Sequence, residues 1–224
     1  MTQGLIRLQH SGQSHFVTFS CYRRQTGLNT PAIRTLFLEA LERSREQFSL
    51  FVYGYVVMPE HIHLLVSEPG SGTLADAIHF LKLSSAKQRQ SISGGHADSG
   101  HFWQKRYYDR NVRSYSDFTE KLRYIHRNPV KRGLCEKPED WPWSSFRHYA
   151  FGEAGSVEIE SEWTARRRTG KKTEVLSLEY PASHLNRAEA ARRRWGTRLV
   201  AMRRAVANTS TSNEELQAIY GGKL

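Results

Sequence analysis

The chain has 224 residues and a mass of 25.8 kDa, enough for one principal domain with an appendage and too short for two full-sized enzyme domains. Lys and Arg number 33 against 22 Asp and Glu, a formal charge of +11 with a pI near 9.9, which favours a polyanionic partner, nucleic acid ahead of an anionic membrane surface. No apolar run of about 18 residues is present to span a bilayer, Met1 to His10 lacks the layout of a secretory signal, and two cysteines, Cys21 and Cys135, exclude a disulfide scaffold or a paired-Cys zinc site.

A soluble, cytoplasmic protein with two buried thiols is therefore expected. His15 to Cys21 is dense in aromatic and β-branched residues and reads as a strand, followed by basic Tyr22-Arg23-Arg24 and a Gly27/Pro31 break. From Pro31, with Thr30 as N-cap, Ile33, Leu36, Phe37, Ala40, Leu41 and Phe48 recur at helical spacing. Phe51 to Val57 and His61 to Ser67 read as two strands joined by a tight Met58-Pro59-Glu60 turn. After Pro69-Gly70-Ser71-Gly72, the residues Leu74, Ala77, Ile78, Leu81 and Ala86 predict a second helix lying on a sheet. Gly94 to Gly100 reads as a loop and Phe102 to Val112 as another strand. Ser114 then caps a helix expected to stop near Asn128, since the residue before Pro129 disfavours helical geometry.

In order these elements give β-α-β-β-α-β and a further helix: an α+β fold, ferredoxin-like or RRM-like, with an antiparallel sheet and helices on one face. The composition changes at Gly152. Residues 1–152 form the expected catalytic or binding domain, and 153–224 a basic extension, flexible or helical over Arg187 to Ala207.

Two features carry chemistry. In His61-Ile62-His63, side chains two apart on a strand share a face, so two imidazoles can converge on one cation; standing alone, the spacing favours surface or packed histidines, and a second feature is needed. Tyr124 and Asn128 stand one helical turn apart on one face, where a phenol can act as nucleophile and an amide oxygen as a hard ligand. The bland alternative is a packed tyrosine and a helix-ending asparagine. Tyr107, Tyr108 and Tyr115 compete as nucleophiles, the first two in an expected strand where aromatic packing is favoured, and His79, His101 and His126 are further histidines that could approach the site.

Val57-Met-Pro-Glu-His-Ile-His-Leu-Leu64, Tyr124-Ile-His-Arg-Asn-Pro-Val130 and Trp143-Ser-Ser145 together resemble the REP-associated tyrosine transposases, relatives of the single-tyrosine HUH transposases, over approximately residues 5 to 152. The resemblance implies a ferredoxin-like domain that nicks and rejoins single-stranded DNA. By it, His61 and His63 match the metal ligands and Tyr124 the nucleophile; Asn128 completes the metal site where distant relatives carry Gln. It further implies a 5′-phosphotyrosine intermediate, a REP-type hairpin substrate with a single-stranded foot, Mg²⁺ or Mn²⁺ as cofactor, and a monomer in preference to a homodimer. Glu60, beside the pair, is a candidate to orient a ligand. Two other classes remain open: a nonenzymatic RRM-like single-stranded nucleic-acid binder, and a metal hydrolase that uses water.

Candidate DNA contacts are Arg23, Arg24, Lys105, Arg106, Arg110, Arg113, Arg123, Arg127, Lys131 and Arg132, which surround the motifs and can neutralise phosphates. Phe102, Trp103, Tyr107 and Tyr108 can stack on unpaired bases, although Tyr107 and Tyr108, in an expected strand, are better suited to packing. Arg192 to Arg204 adds a further candidate backbone contact.

Overall fold

The structure, a computed structural model, describes residues 13–92, 101–161 and 164. The loop expected over Gly94 to Gly100, the helix expected over Arg187 to Ala207 and the candidate contacts of Arg192 to Arg204 lie outside the described residues. Chain contacts divide the molecule into Met1–Glu160 and Ser161–Leu224. The change in composition at Gly152 precedes that division because Val157 and Ile159 are buried among the core side chains. Ile159 bridges Val52 in parallel, and the Glu160 N–H donates to the Val52 carbonyl at 2.8 Å.

The first unit runs β1 (Ser14–Ser20), α1 (Pro31–Gln47), β2 (Val52–Val57), β3 (His61–Val66), α2 (Leu74–Ile92), β4 (Tyr108–Val112), α3 (Tyr115–Lys131) and a short α4 (Phe146–Phe151). The four strands form one antiparallel sheet in the order β2-β3-β1-β4, the α+β arrangement expected. Alternation along the strands divides their side chains between two faces. Val17, Phe19, Tyr55, Val57, Ile62, Leu64 and Val66 turn toward one face, where Phe37, Leu38 and Leu41 of α1 and Leu74, Ile78 and Leu81 of α2 close the core. Fully burying each such side chain contributes about 1.5–3 kcal/mol.

Helices α1 and α2 share that face as anticipated, but α3 crosses the opposite one, touching Phe16 and His63 through Tyr124. Gly54 permits the close approach: a Cβ there would stand 2.6 Å from Leu122 Cδ1. The amphipathic pattern of α3 could not say which face it would cover, since both faces of the sheet offer apolar residues.

Both predicted caps are present, Thr30 Oγ1 accepting from the Ile33 N–H (3.3 Å) and Ser114 Oγ from the Asp117 N–H (3.1 Å). Helix α3, however, continues through Pro129 to Lys131. Proline's fixed φ suits a helix and only one backbone donor is lost. Pro129 is buried, and the N–H groups of Arg132 and Leu134 cap the carbonyls of Asn128 and Pro129.

The last strand is shorter than expected. Residues 101–107 are irregular because Trp103 is drawn into the core, bridging Cys21 and bonding Ser85 Oγ through Nε1 at 3.2 Å. Cys21 is buried, and burial pushes its thiol up to about 11; Cys135 is only half-buried, contrary to expectation.

Candidate active site

The antiparallel register aligns β1 and β3 so that Thr18 lies opposite His63 and Ser20 opposite His61. The two imidazoles project from β3 onto the face crossed by α3, with their Nε2 atoms 3.0 Å apart. Two nitrogens each about 2.1 Å from one ion and at right angles to it would be separated by about 3.0 Å, so the pair has the spacing of adjacent ligands.

The outer ring nitrogens are supported in different ways. His63 Nδ1 is hydrogen bonded to Thr18 Oγ1 at 2.7 Å, and the hydroxyl, both donor and acceptor, satisfies either tautomer. The His63 ring also stacks on Phe16, with centroids 5.5 Å apart and planes 18° from parallel. His61 Nδ1 lies 3.2 Å from Glu60 Oε1, an ion-pair distance without hydrogen-bond alignment. Glu60 is itself buried and accepts from Arg132 Nη2 at 2.7 Å.

Burial pushes the His63 imidazole down to about 3, helped by its neighbour His61 and by the positive charge of Arg24. Burial also lowers His61, against the pull of Glu60. Both rings are thus neutral near pH 7, the state in which a ring nitrogen can donate a lone pair to a cation.

Tyr124 reaches this pair from α3. Its ring meets that of His63 edge-on at 5.0 Å and that of Phe16 at 5.9 Å, and the residue remains 41 % exposed. Its ring is gripped on one side while the side chain stays accessible to a substrate. Asn128, one turn later on the same helix, is buried. Among the described residues no group of three or more His, Cys, Asp or Glu is placed to hold a metal ion.

The Trp143-Ser-Ser145 segment holds α3 in place from the other side. Ser144 bridges Val56 beside β2, and Ser145 Oγ accepts from the Tyr55 N–H at 3.0 Å and meets His126 Nε2 at 2.9 Å. His126 is therefore a buried peg between α3 and β2. His79 is exposed on α2, and His101 lies beside Tyr22. Arg34 lies under the rings of Trp141 and Trp143, with its guanidinium carbon 4.7 and 4.5 Å from their centroids, and donates to the carbonyls of Leu28 and Asn29.

Of the basic candidates, Arg24, Arg110 and Arg132 are tied to the site: Arg24 through its charge on both histidines, Arg110 by lying opposite Phe16, Arg132 through Glu60. Arg23, Lys105, Arg106, Arg113, Arg123 and Lys131 are exposed on neighbouring segments, and Arg127 is half-buried. Sequence reasoning missed Phe16, Thr18 and the Arg132 link to Glu60. Alternation in β1 gives a signal for the first two once Thr18 is known to face His63, but that register is a tertiary fact.

Comparison with known proteins places the chain in a family. The family described as Transposase IS200 like matches residues 9–128, more than half of the chain, ending at Asn128. A Haemophilus influenzae protein assigned to the REP-associated tyrosine transposases is 33% identical over 118 residues, covering 49% of this chain and 66% of that protein, just under two thirds of its length. The REP-associated tyrosine transposase of Escherichia coli K12 is 27% identical over 136 residues, covering 60% and 77%. A solved structure of a REP-associated tyrosine transposase bound to a REP hairpin shares the fold, with a TM-score of 0.56 at 24% identity over 82% of this chain and 100% of that one. The chain belongs to the IS200-like transposases, a family of enzymes that act on DNA.

Proposed function

We propose that the chain is a metal-dependent single-stranded DNA endonuclease and strand transferase that acts on REP-type hairpins through a 5′-phosphotyrosine, with Tyr124 as the nucleophile. The observation that carries this reading is the meeting of two neutral, converging imidazoles with an accessible tyrosine on one face of the sheet. Binding alone requires neither group. The relatives named for REP elements, one of them solved with a REP hairpin, support the substrate class, as does the charge of +11.

His61, His63 and the Asn128 amide oxygen would hold Mg²⁺ or Mn²⁺, the mixed imidazole and oxygen set suiting Mn²⁺ in particular. When bound, the ion would polarise a phosphoryl oxygen and offset the charge that develops on it. Tyr124 Oη attacks the phosphorus, the P–O3′ bond breaks, and the phenolic proton leaves through solvent as a 3′-hydroxyl is released. A 3′-hydroxyl attacking the phosphotyrosine reverses the step; one phosphodiester replaces another, so no nucleotide cofactor is consumed. Thr18 orients His63 through its hydrogen bond, and the Glu60 carboxylate lies at ion-pair distance from His61. The Arg132 bond to Glu60 joins the end of α3 to the histidine strand within one chain, which supports a monomer as the working unit. No described helix is long and apolar enough to cross a membrane.

The test is incubation with labelled hairpin oligonucleotides drawn from the repeats flanking the gene, with Mg²⁺, Mn²⁺ or EDTA, followed by denaturing electrophoresis and mass mapping. A metal-dependent adduct on Tyr124, lost in Tyr124→Phe with hairpin binding retained, is expected. Binding without cleavage or adduct would favour a nonenzymatic binder, and cutting by Tyr124→Phe without an adduct a water-using hydrolase.

A further inference from the structure

We propose that Tyr108 is a stacking platform for an unpaired base of the single strand beside the scissile phosphate, a subsite that rests on the nuclease reading above. Thr18 lies opposite His63 on one side and opposite Tyr108 on the other, and residues directly opposite in an antiparallel sheet share a face. Tyr108 therefore stands on the face of the histidine pair, two strand spacings or about 10 Å from His63.

Helix α3 does not cover this position. Its side chains close over the adjacent row, where Phe16 lies opposite Arg110: Lys121 Nζ sits 5.9 Å from the Phe16 ring centroid, and Asp117 meets Arg110 at 3.4 Å. The row of Thr18 and Tyr108 ends at the sheet's edge strand, and Tyr108 is 47 % exposed. Its neighbour Tyr107 packs against the core, so the local sequence offers a buried aromatic and turns the next outward. Packing was the expected role for both tyrosines, and the structure assigns it to one.

A large exposed ring on the edge strand, flanked by exposed Lys105, Arg106 and Arg110, combines an aromatic side chain with backbone-neutralising charge. That combination suits single-stranded nucleic acid, whose bases present free π faces; in a duplex stem those faces are covered by their neighbours. Continuity with the accessible Tyr124, also on this face, commits the surface to the strand being cut rather than to the hairpin stem.

The experiment places 2-aminopurine in turn at each position of the single-stranded foot of the flanking-repeat hairpin and reads its quenching on binding in EDTA, where cleavage is blocked. Adduct formation in Mn²⁺ is then measured against DNA concentration. In the wild-type chain one position is expected to be quenched. Tyr108→Ala loses that quenching and raises the DNA concentration for half-maximal rate by roughly tenfold, with the rate at saturation unchanged; Tyr108→Phe and Tyr108→Trp retain both. Thermal melting of Tyr108→Ala checks folding.

Three results would overturn the proposal: quenching and affinity unchanged in Tyr108→Ala, a defect in Tyr108→Phe as large as in Tyr108→Ala, or an adduct on Tyr108 when Tyr124 is replaced by Phe. Quenching that depends on Tyr108 in a wild-type chain that forms no adduct would keep the stacking site and sink the nuclease reading, so the two failures are distinguishable.

Discussion

Thr18→Val removes one hydroxyl from behind the histidine pair and changes little else. Valine is close to isosteric with threonine and equally β-branched, so β1 keeps its strand preference and its pairing with β3 and β4. What disappears is the 2.7 Å hydrogen bond to His63 Nδ1. His63 is 5 % exposed, so the nitrogen left behind finds little water, and an unsatisfied buried group of this kind costs about 1–3 kcal/mol of stability. Loss of a hydrogen bond behind a ligand histidine typically weakens metal binding about 10–100-fold. Here Phe16 still stacks on the ring and prevents it from swinging away, which places the expected loss near tenfold. Calorimetric titration with Mn²⁺ measures it, with Thr18→Ser as the control that keeps the hydroxyl and recovers most of the affinity. Wild-type Mn²⁺ affinity in Thr18→Val would contradict this, as would a Thr18→Ser variant no better than Thr18→Val, because restoring the hydroxyl would then not restore binding.

The pH dependence of stability follows from His63 and His126, both pushed down to about 3 by burial from an ordinary value of 6.5. Their folded forms bind protons less readily than the unfolded chain, so their contribution is complete above about pH 6.5 and falls by about 1.4 kcal/mol per pH unit for each histidine as the pH drops toward 3. Urea unfolding should show about 4 kcal/mol less stability at pH 5 than at pH 7 from the pair, with a shallower slope in His126→Gln; equal stability at the two pH values would contradict this. Arg24 holds a left-handed φ of 56°, a conformation that costs a side-chain-bearing residue about 1–2 kcal/mol and glycine nothing. Set against the extra backbone entropy glycine loses on folding, Arg24→Gly is expected to leave stability unchanged or raise it by up to about 1 kcal/mol while weakening hairpin binding at low salt; a clear loss of stability in denaturant would show that the guanidinium contributes to folding. Arg132→Ala strands the buried Glu60 carboxylate, and since Arg132 is itself half exposed the expected cost is about 1–2 kcal/mol. Glu60→Gln in the same chain should recover much of it in thermal melting, and no recovery would separate the cost from the charge.

The order of elements was legible because alternation and helical spacing are local properties, and the caps at Thr30 and Ser114 depend on residues three apart. The full length of α3 was not, because the bias against a helix before proline is also local, whereas the burial of Asn128 and Pro129 that outweighs it comes from the assembled fold. Arg34 shows the same limit. A basic residue on a helix reads as solvated until Trp141 and Trp143, more than 100 positions along the chain, close over it.

The periods of strand and helix are set by backbone geometry, so the order of residues was enough to put His61 with His63 on one strand face and Tyr124 with Asn128 on one helix face. Composition determined the excess of positive charge. Tertiary structure alone decided that α3 crosses the face opposite α1 and α2, that Thr18 and Phe16 stand behind His63, that Arg132 reaches Glu60, and that Tyr108 turns outward while Tyr107 turns in. These depend on strand register and on which faces bury one another, and both are settled by the free energy of the whole core rather than by any local stretch of the chain.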